Sequence, residues 1–315
     1  MGLVQLEDIR AAAERIRPAA LRTPLIPVDW GDPERPLWLK PENLQPVGAF
    51  KIRGAYNALA RLDAAHRARG VVTHSSGNHA QALAAAAARF GVPAHVVMPE
   101  GTPQVKIDAT RARGAEVVLC RPAERERTAE ELAARTGATL IPPFDHPDVI
   151  AGQGTVGLEI VADLPEVACV LVPVSGGGLA SGVGVAVKSL RPQATVLGVE
   201  PELAADTAAG LAAGHRVGWP VAERNRTIAD GLRAQPSELT FAHLQRVLDG
   251  MCIVAEDEIR AAVRELATRA RLVAEPSGAV PLAAYRRSRT PPGPTVLVIS
   301  GGNIDPRLLA EILTG

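Results

Sequence analysis

Lys51 sits in Gly48-Ala49-Phe50-Lys51-Ile52-Arg53-Gly54-Ala55 and is one of only four lysines, with Lys40, Lys106 and Lys188, in 315 residues. A lysine amine buried beside aromatic and apolar neighbours loses proton affinity and becomes a nucleophile toward an aldehyde. A lone lysine is more often a solvated surface residue, so residues elsewhere in the chain must decide. Three loops of small polar residues bear on it: Ser75-Ser76-Gly77-Asn78-His79, Ser175-Gly176-Gly177-Gly178-Leu179 and Ser300-Gly301-Gly302-Asn303.

Ser175–Leu179 closes an apolar run and opens a helical one, so its bare N–H groups and the helix dipole can bind a phosphate dianion. The loop is neither the phosphate loop that ends in Lys-Ser/Thr nor the G-x-G-x-x-G dinucleotide pattern, and alone it also reads as a tight turn. Paired with the Lys51 amine it suits pyridoxal phosphate, a cofactor that needs both. Ser75–His79 supplies two hydroxyls, helix-start N–H groups and an asparagine amide, which suit a substrate carboxylate and a cofactor hydroxyl. The plain reading of the same residues is helix capping by Ser76 or Asn78, with His79 a structural residue. Ser300 can face a pyridine nitrogen as a neutral partner, and its loop is otherwise an ordinary turn.

These loops need a frame. Short β-rich runs alternate with helical stretches: Gly70–His74 then Ala80–Phe90, Ala94–Met98 then Gln104–Arg113, Glu116–Cys120 then Ala123–Arg135, and Ala138–Ile141 then Thr155–Ala162. The alternation resumes at Cys169–Val174, Ala194–Val199 and Thr295–Ile299. Such a pattern predicts β-α-β units in two open, mainly parallel α/β sheets flanked by helices. Pro103 marks a helix start, and Gly91 and Gly114 mark helix ends. The region 210–249 is less regular and reads as an excursion over one face, and Arg289–Pro294 reads as an exposed turn. Ligands of open α/β sheets gather at the carboxyl ends of strands, where all three loops fall.

The formal net charge is zero, with no basic block, so nucleic acid and anionic membrane are not favoured and a small molecule is the expected partner. Hydrophobic residues make up 47% and aromatic residues 3% of the chain, so aliphatic side chains must fill the core. No run approaches the ~18 apolar residues of a membrane span. Cys120, Cys169 and Cys252 are widely separated, an odd number and without C-x-x-C spacing, which argues against disulfides or zinc and for a reducing cytoplasm.

Taken together, the chain resembles the fold-type II pyridoxal-phosphate family of serine/threonine dehydratases and serine racemases. The likeness is carried by Lys40–Ala55, Ser75–Leu83, Ala151-Gly152-Gln153-Gly154-Thr155, Pro173–Leu179, Thr227-Ile228-Ala229-Asp230-Gly231, Glu275-Pro276-Ser277-Gly278-Ala279 and Ser300–Asn303. It implies a tryptophan-synthase-β-like fold, with residues 1–64 and 147–315 as a large cofactor domain and 65–146 as a small one. It also implies that Lys51 holds the cofactor as a Schiff base and then acts as base on Cα. Asn78 would meet the cofactor's 3′-oxygen, Ser175 to Leu179 (through Gly176, Gly177 and Gly178) its phosphate, and Ser300 its ring nitrogen, with Phe50 and Glu275 also lining it. Ser75, Ser76, Gly77, Asn78 and His79 would hold the substrate. Ser76 matches the residue that, in racemases, faces the opposite side of Cα.

Glu200, the Ala204 carbonyl and Asp206 are similar to the family's site for Mg²⁺ or Ca²⁺, whose oxygen ligands suit such ions. Without the resemblance, Glu202 and Asp206 are acids at a helix start. The chain departs from the family at Ala49, where serine is usual, and at Ser175, where glycine is commoner. The expected activity is β-elimination from L-threonine or L-serine to a 2-oxo acid and ammonia by a cytoplasmic homodimer. Racemisation and dehydration of a 3-hydroxyaspartate are the alternatives on the same residues. β-Replacement and simple amino-acid binding fit the loops less closely.

Overall fold

The computed structural model describes residues 2–287 and 290–315. Helix Leu6–Ile16 leads into β1 (Ile26–Asp32) and β2 (Arg35–Pro41), which pair antiparallel with Val28 opposite Leu37. Next come β3 (Val71–His74), β4 (Ala94–Pro99), β5 (Glu116–Cys120) and β6 (Thr139–Leu140). The last strands are β7 (Cys169–Pro173), β8 (Thr195–Pro201), β9 (Gly250–Val254) and β10 (Thr295–Ile299). They form two sheets, as the alternation of elements requires. One has the order β5-β4-β3-β6 and is parallel throughout, and the other has the order β1-β2-β10-β7-β8-β9 and is parallel except for its first pair.

β7 and β10 lie in the middle of the larger sheet, are predominantly apolar and are buried at every position, as strands covered on both faces must be. β1, β2 and β9 carry weaker signals. β1 holds a proline and a glycine and alternates in exposure, which only an edge strand tolerates.

The helix expected from Thr155 begins at Pro147. His146 caps it by accepting the Asp148 N–H at 3.1 Å, and Pro147 fits the first turn. Gly152, Gly154 and Gly157 lower its intrinsic helix propensity, and packing between two neighbouring helices overrides that. The 210–249 excursion contains the short helix Val221–Arg224 and the helix Glu238–Val247, capped by Ser237. Of the expected 289–294 turn, Arg289 lies outside the described residues, Pro291 and Pro292 are exposed, and Gly293 N–H bonds to the Glu34 carbonyl at 2.7 Å.

The helix Lys51–Ala60 follows β2 of the larger sheet, yet Ile52, Ala55 and Leu59 pack into the core of the smaller sheet with Val71, Leu83 and Val96. The residue in question therefore starts a helix that rests between the two sheets.

Candidate active site

Strand order explains why distant loops meet. β10 lies between β2 and β7 and is parallel to both, so the segments after these three strands emerge side by side at one end of the sheet. The contacts are direct: Ala49 pairs with Gly301 in an antiparallel bridge, Phe50 N–H bonds to the Ser300 carbonyl at 3.1 Å, and Gly302 N–H bonds to the Gly48 carbonyl at 2.9 Å. Ala49 is fully buried there, so a serine at this position would bring a hydroxyl into the contact.

Lys51 opens its helix, and its amine donates to the Pro143 carbonyl at 2.7 Å, with the Phe50 ring centroid 5.0 Å away. Desolvation pulls its pKa down from 10.5 to about 8, so the neutral amine is roughly a tenth of the population at pH 7 and about half at pH 8. Among the described residues no carboxylate pairs with it.

Asn78 starts the helix Asn78–Phe90, whose cap is Gly77 and makes no side-chain cap bond. Neither Ser76 nor Asn78 is therefore the cap. The Asn78 amide instead donates to Glu275 Oε1 at 2.7 Å and accepts from Asn303 Nδ2 at 2.8 Å. Burial raises the Glu275 pKa to about 7, with the Asp230 charge pushing the same way and the Asn78 hydrogen bond opposing. Ser75 Oγ accepts the Gly77 N–H at 3.3 Å, and nothing stands within 4 Å of where a Gly77 Cβ would be, so the loop faces open space. His79 is 1% exposed, its Nε2 bonds to the Ile141 carbonyl at 3.1 Å, and burial drops its pKa to about 3. Its imidazole is a neutral core group, which leaves only its backbone N–H to face a ligand.

In the loop 175–179, Ser175 Oγ donates to the Ala234 carbonyl at 3.2 Å and accepts the Ala234 N–H at 3.0 Å, which ties the loop to the excursion. Gly177 has φ +87°, a backbone that favours glycine, and ends the loop as the cap of helix Gly178–Leu190. The N–H groups of Gly176, Gly177, Gly178 and Leu179 have no acceptor among the described residues. A Cβ at Gly176 would stand 2.3 Å from the Phe144 ring. The segment 143–144 thus touches both Lys51 and the glycine loop. Its sequence, between two apolar runs and rich in proline, carries no periodic signal that could have found it.

A buried ionic network lies behind Lys51. Arg53 bonds to Glu42 Oε2 and Glu159 Oε1 at 2.7 Å each, and Lys40 bonds to Glu159 at 2.5 Å. Two cations and two carboxylates balance, and burial is offset by pairing, as buried charge requires. Ser300 is 4% exposed at the end of β10.

Glu200 is the penultimate residue of β8 and Asp206 follows that strand, and because β8 runs parallel to its neighbour β7 both lie at the same end of the sheet as the glycine loop. Glu200 accepts the Thr207 and Ala208 N–H groups at 3.1 and 2.9 Å. Burial raises its pKa to about 8, with Asp206 adding to the rise, and burial raises Asp206 to about 6. Asp206 Oδ2 is buried without a hydrogen-bond partner among the described residues, and the residue lines a cavity of about 180 Å³. Among the described residues no cluster of three or more His, Cys, Asp or Glu side chains could hold a metal.

A half-buried amine of lowered proton affinity and a row of N–H groups without an acceptor among the described residues fit the aldehyde and the phosphate of pyridoxal phosphate. Fold and site together define a pyridoxal-phosphate enzyme of the fold-type II architecture. The chain belongs to the pyridoxal-phosphate dependent enzyme family, matched over residues 16–301. It is 44% identical to an L-threonine ammonia-lyase of Thermotoga maritima, over 99% of this chain and 78% of that protein. It is 38% identical to an L-threo-3-hydroxyaspartate ammonia-lyase of Saccharomyces cerevisiae, over 98% of this chain and 96% of that one. The solved structure of maize serine racemase superposes with a TM-score of 0.94 at 37% identity, covering 98% of this chain and 97% of that one.

Proposed function

We infer that the protein is an ammonia-lyase that eliminates water from L-threonine or L-serine, the enamine so released then being hydrolysed by water to ammonia and 2-oxobutanoate or pyruvate. The observation that carries this reading is the half-buried Lys51 amine, with a pKa of about 8. When bound, pyridoxal phosphate supplies the electron withdrawal that makes the substrate Cα–H acidic. Lys51 takes that proton as its neutral amine. The N–H groups and hydroxyls of Ser75 to Asn78 orient the substrate carboxylate, so that the Cα–H bond faces Lys51. The N–H groups of Gly176 to Leu179 hold the phosphate, Asn78 and Ser300 border the ring, and Glu275 sets the Asn78 amide.

A second reading, racemisation, is favoured by one observation: the Ser76 hydroxyl makes no hydrogen bond among the described residues, so it is free to return a proton to Cα. A 3-hydroxyaspartate substrate stands as the further alternative. Incubation of the holoprotein with L-serine, L-threonine and 3-hydroxyaspartate, with oxo acids and both enantiomers quantified, separates the three. Oxo acid from L-threonine or L-serine is the expected result, and rapid enantiomer exchange without oxo acid would overturn the lyase reading.

The partition of strands supports a small domain of residues 65–146 and a large one of 1–64 with 147–315, since β3 to β6 alone build the smaller sheet. The partnerless Asp206 Oδ2 and the raised pKa values of both acids support a Mg²⁺ or Ca²⁺ site at Glu200, the Ala204 carbonyl and Asp206. Three free, buried cysteines support a reducing, cytoplasmic setting. A homodimer rests on analogy with the family.

A further inference from the structure

Gln153 lies in Ala151-Gly152-Gln153-Gly154-Thr155, a stretch to which the reaction assigns no task. In the helix that begins at Lys51, the Gly54 N–H would ordinarily bond to the Phe50 carbonyl four residues back. That carbonyl accepts instead from Arg53 N–H at 3.0 Å, a tighter closure of the i to i−3 kind. The Gly54 N–H is taken by Oε1 of Gln153, at 3.1 Å, from the helix Pro147–Asp163. Gln153 is 1% exposed, and its Nε2 meets no acceptor among the described residues, so the amide is held through its oxygen.

Backbone contact fixes the approach of the two helices. A Cβ at Gly152 would stand 2.6 Å from the Arg53 carbonyl oxygen. The same helix meets the helix Gly178–Leu190 equally closely, since a Cβ at Gly182 would stand 2.3 Å from the Ile150 carbonyl oxygen. The reactive lysine and the glycine loop are thus both referenced to one central helix.

We propose that Gln153 is a positioning residue for Lys51: its amide oxygen replaces the missing helix carbonyl, sets the first turn and so aims the amine. Gln153 touches neither substrate nor cofactor. The inference rests on the pyridoxal-phosphate reading, and a pair of ligands tells the two apart. Pyridoxal phosphate bonds to Lys51, whereas pyridoxamine phosphate uses the same loop and ring contacts without that bond.

Apoprotein of the wild type and of Gln153→Leu is titrated with each ligand, reading dissociation constants from absorbance and fluorescence. Misaiming Lys51 weakens pyridoxal phosphate by about tenfold and leaves pyridoxamine phosphate within about twofold. Equal weakening of both ligands, or of neither, overturns the proposal, whereas a wild type that binds neither overturns the cofactor reading itself. Should Gln153→Leu fail to fold, Gln153→Asn, which draws the acceptor back by one methylene, takes the same test with the same outcomes.

Discussion

Asn78 donates to the carboxylate of Glu275 at 2.7 Å across the gap between the two sheets, since Asn78 follows β3 and Glu275 lies before β10. The acid holds the amide in one orientation, with its oxygen toward Asn303. This arrangement places a carboxyl group of raised pKa in direct hydrogen-bond contact with the Asn78 amide.

The consequence for stability is pH-dependent. Glu275 has a folded pKa of about 7 against 4.5 for a solvent-exposed glutamate, so the folded state holds this proton more tightly than the unfolded state. Its contribution is most favourable below pH 4.5, falls as pH rises to about 7, and is flat above. Glu275→Gln keeps an oxygen acceptor for Asn78 and removes the charge. Urea unfolding of the apoprotein should show the variant gaining on the wild type by about 2 to 3 kcal/mol between pH 5 and pH 8. A difference that does not change with pH would contradict the assignment.

Glu200 and Asp206 behave alike, with folded pKa values of about 8 and 6, both raised. Their contribution also falls as pH rises, through the window from about 4 to 8, and a divalent cation would remove that penalty. Mg²⁺ or Ca²⁺ should raise the thermal midpoint more at pH 8 than at pH 6, and Asp206→Asn should abolish the response. Equal midpoints with and without either ion at pH 8 would rule the site out.

Lys106, on the helix Gln104–Arg111 after β4, pairs with Asp230 at 2.9 Å, and both charges are felt by Glu275. The pair joins the smaller sheet's helices to the excursion beside the site. Being exposed, it should add less than about 1 kcal/mol to stability. Lys106→Ala is therefore expected to leave the thermal midpoint nearly unchanged while raising the KM for the amino acid several-fold. A fallen midpoint with unchanged KM would make the pair merely structural.

The loops of the site were legible because each places serine and glycine, and two of them asparagine as well, after a strand, a local pattern with a local cause. The two-sheet frame followed from the same alternation. What stayed hidden depends on packing between distant segments. Arg53 reads as an ordinary basic residue until the fold brings Glu42 and Glu159 to it. The glycines at 152, 154 and 157 argue against a helix locally, yet they permit the contacts that make one there. Phe144 has no signal beyond its type, and only the close fit against Gly176 reveals it. The resemblance places His79 among the substrate residues while the plain reading makes it structural, and its ring turns into the core.

The most direct test is to reduce the holoprotein with borohydride and map the attached pyridoxyl group by peptide mass spectrometry. Of the four lysines, Lys40, Lys106 and Lys188 are ion-paired, with partners at 2.5, 2.9 and 2.6 Å, and Lys51 alone presents an amine without a carboxylate partner among the described residues. The expected result is a label on Lys51 alone, absent from Lys51→Ala together with all turnover. A label on another lysine, or turnover that survives Lys51→Ala, would contradict the assignment of Lys51 as the cofactor-bearing base.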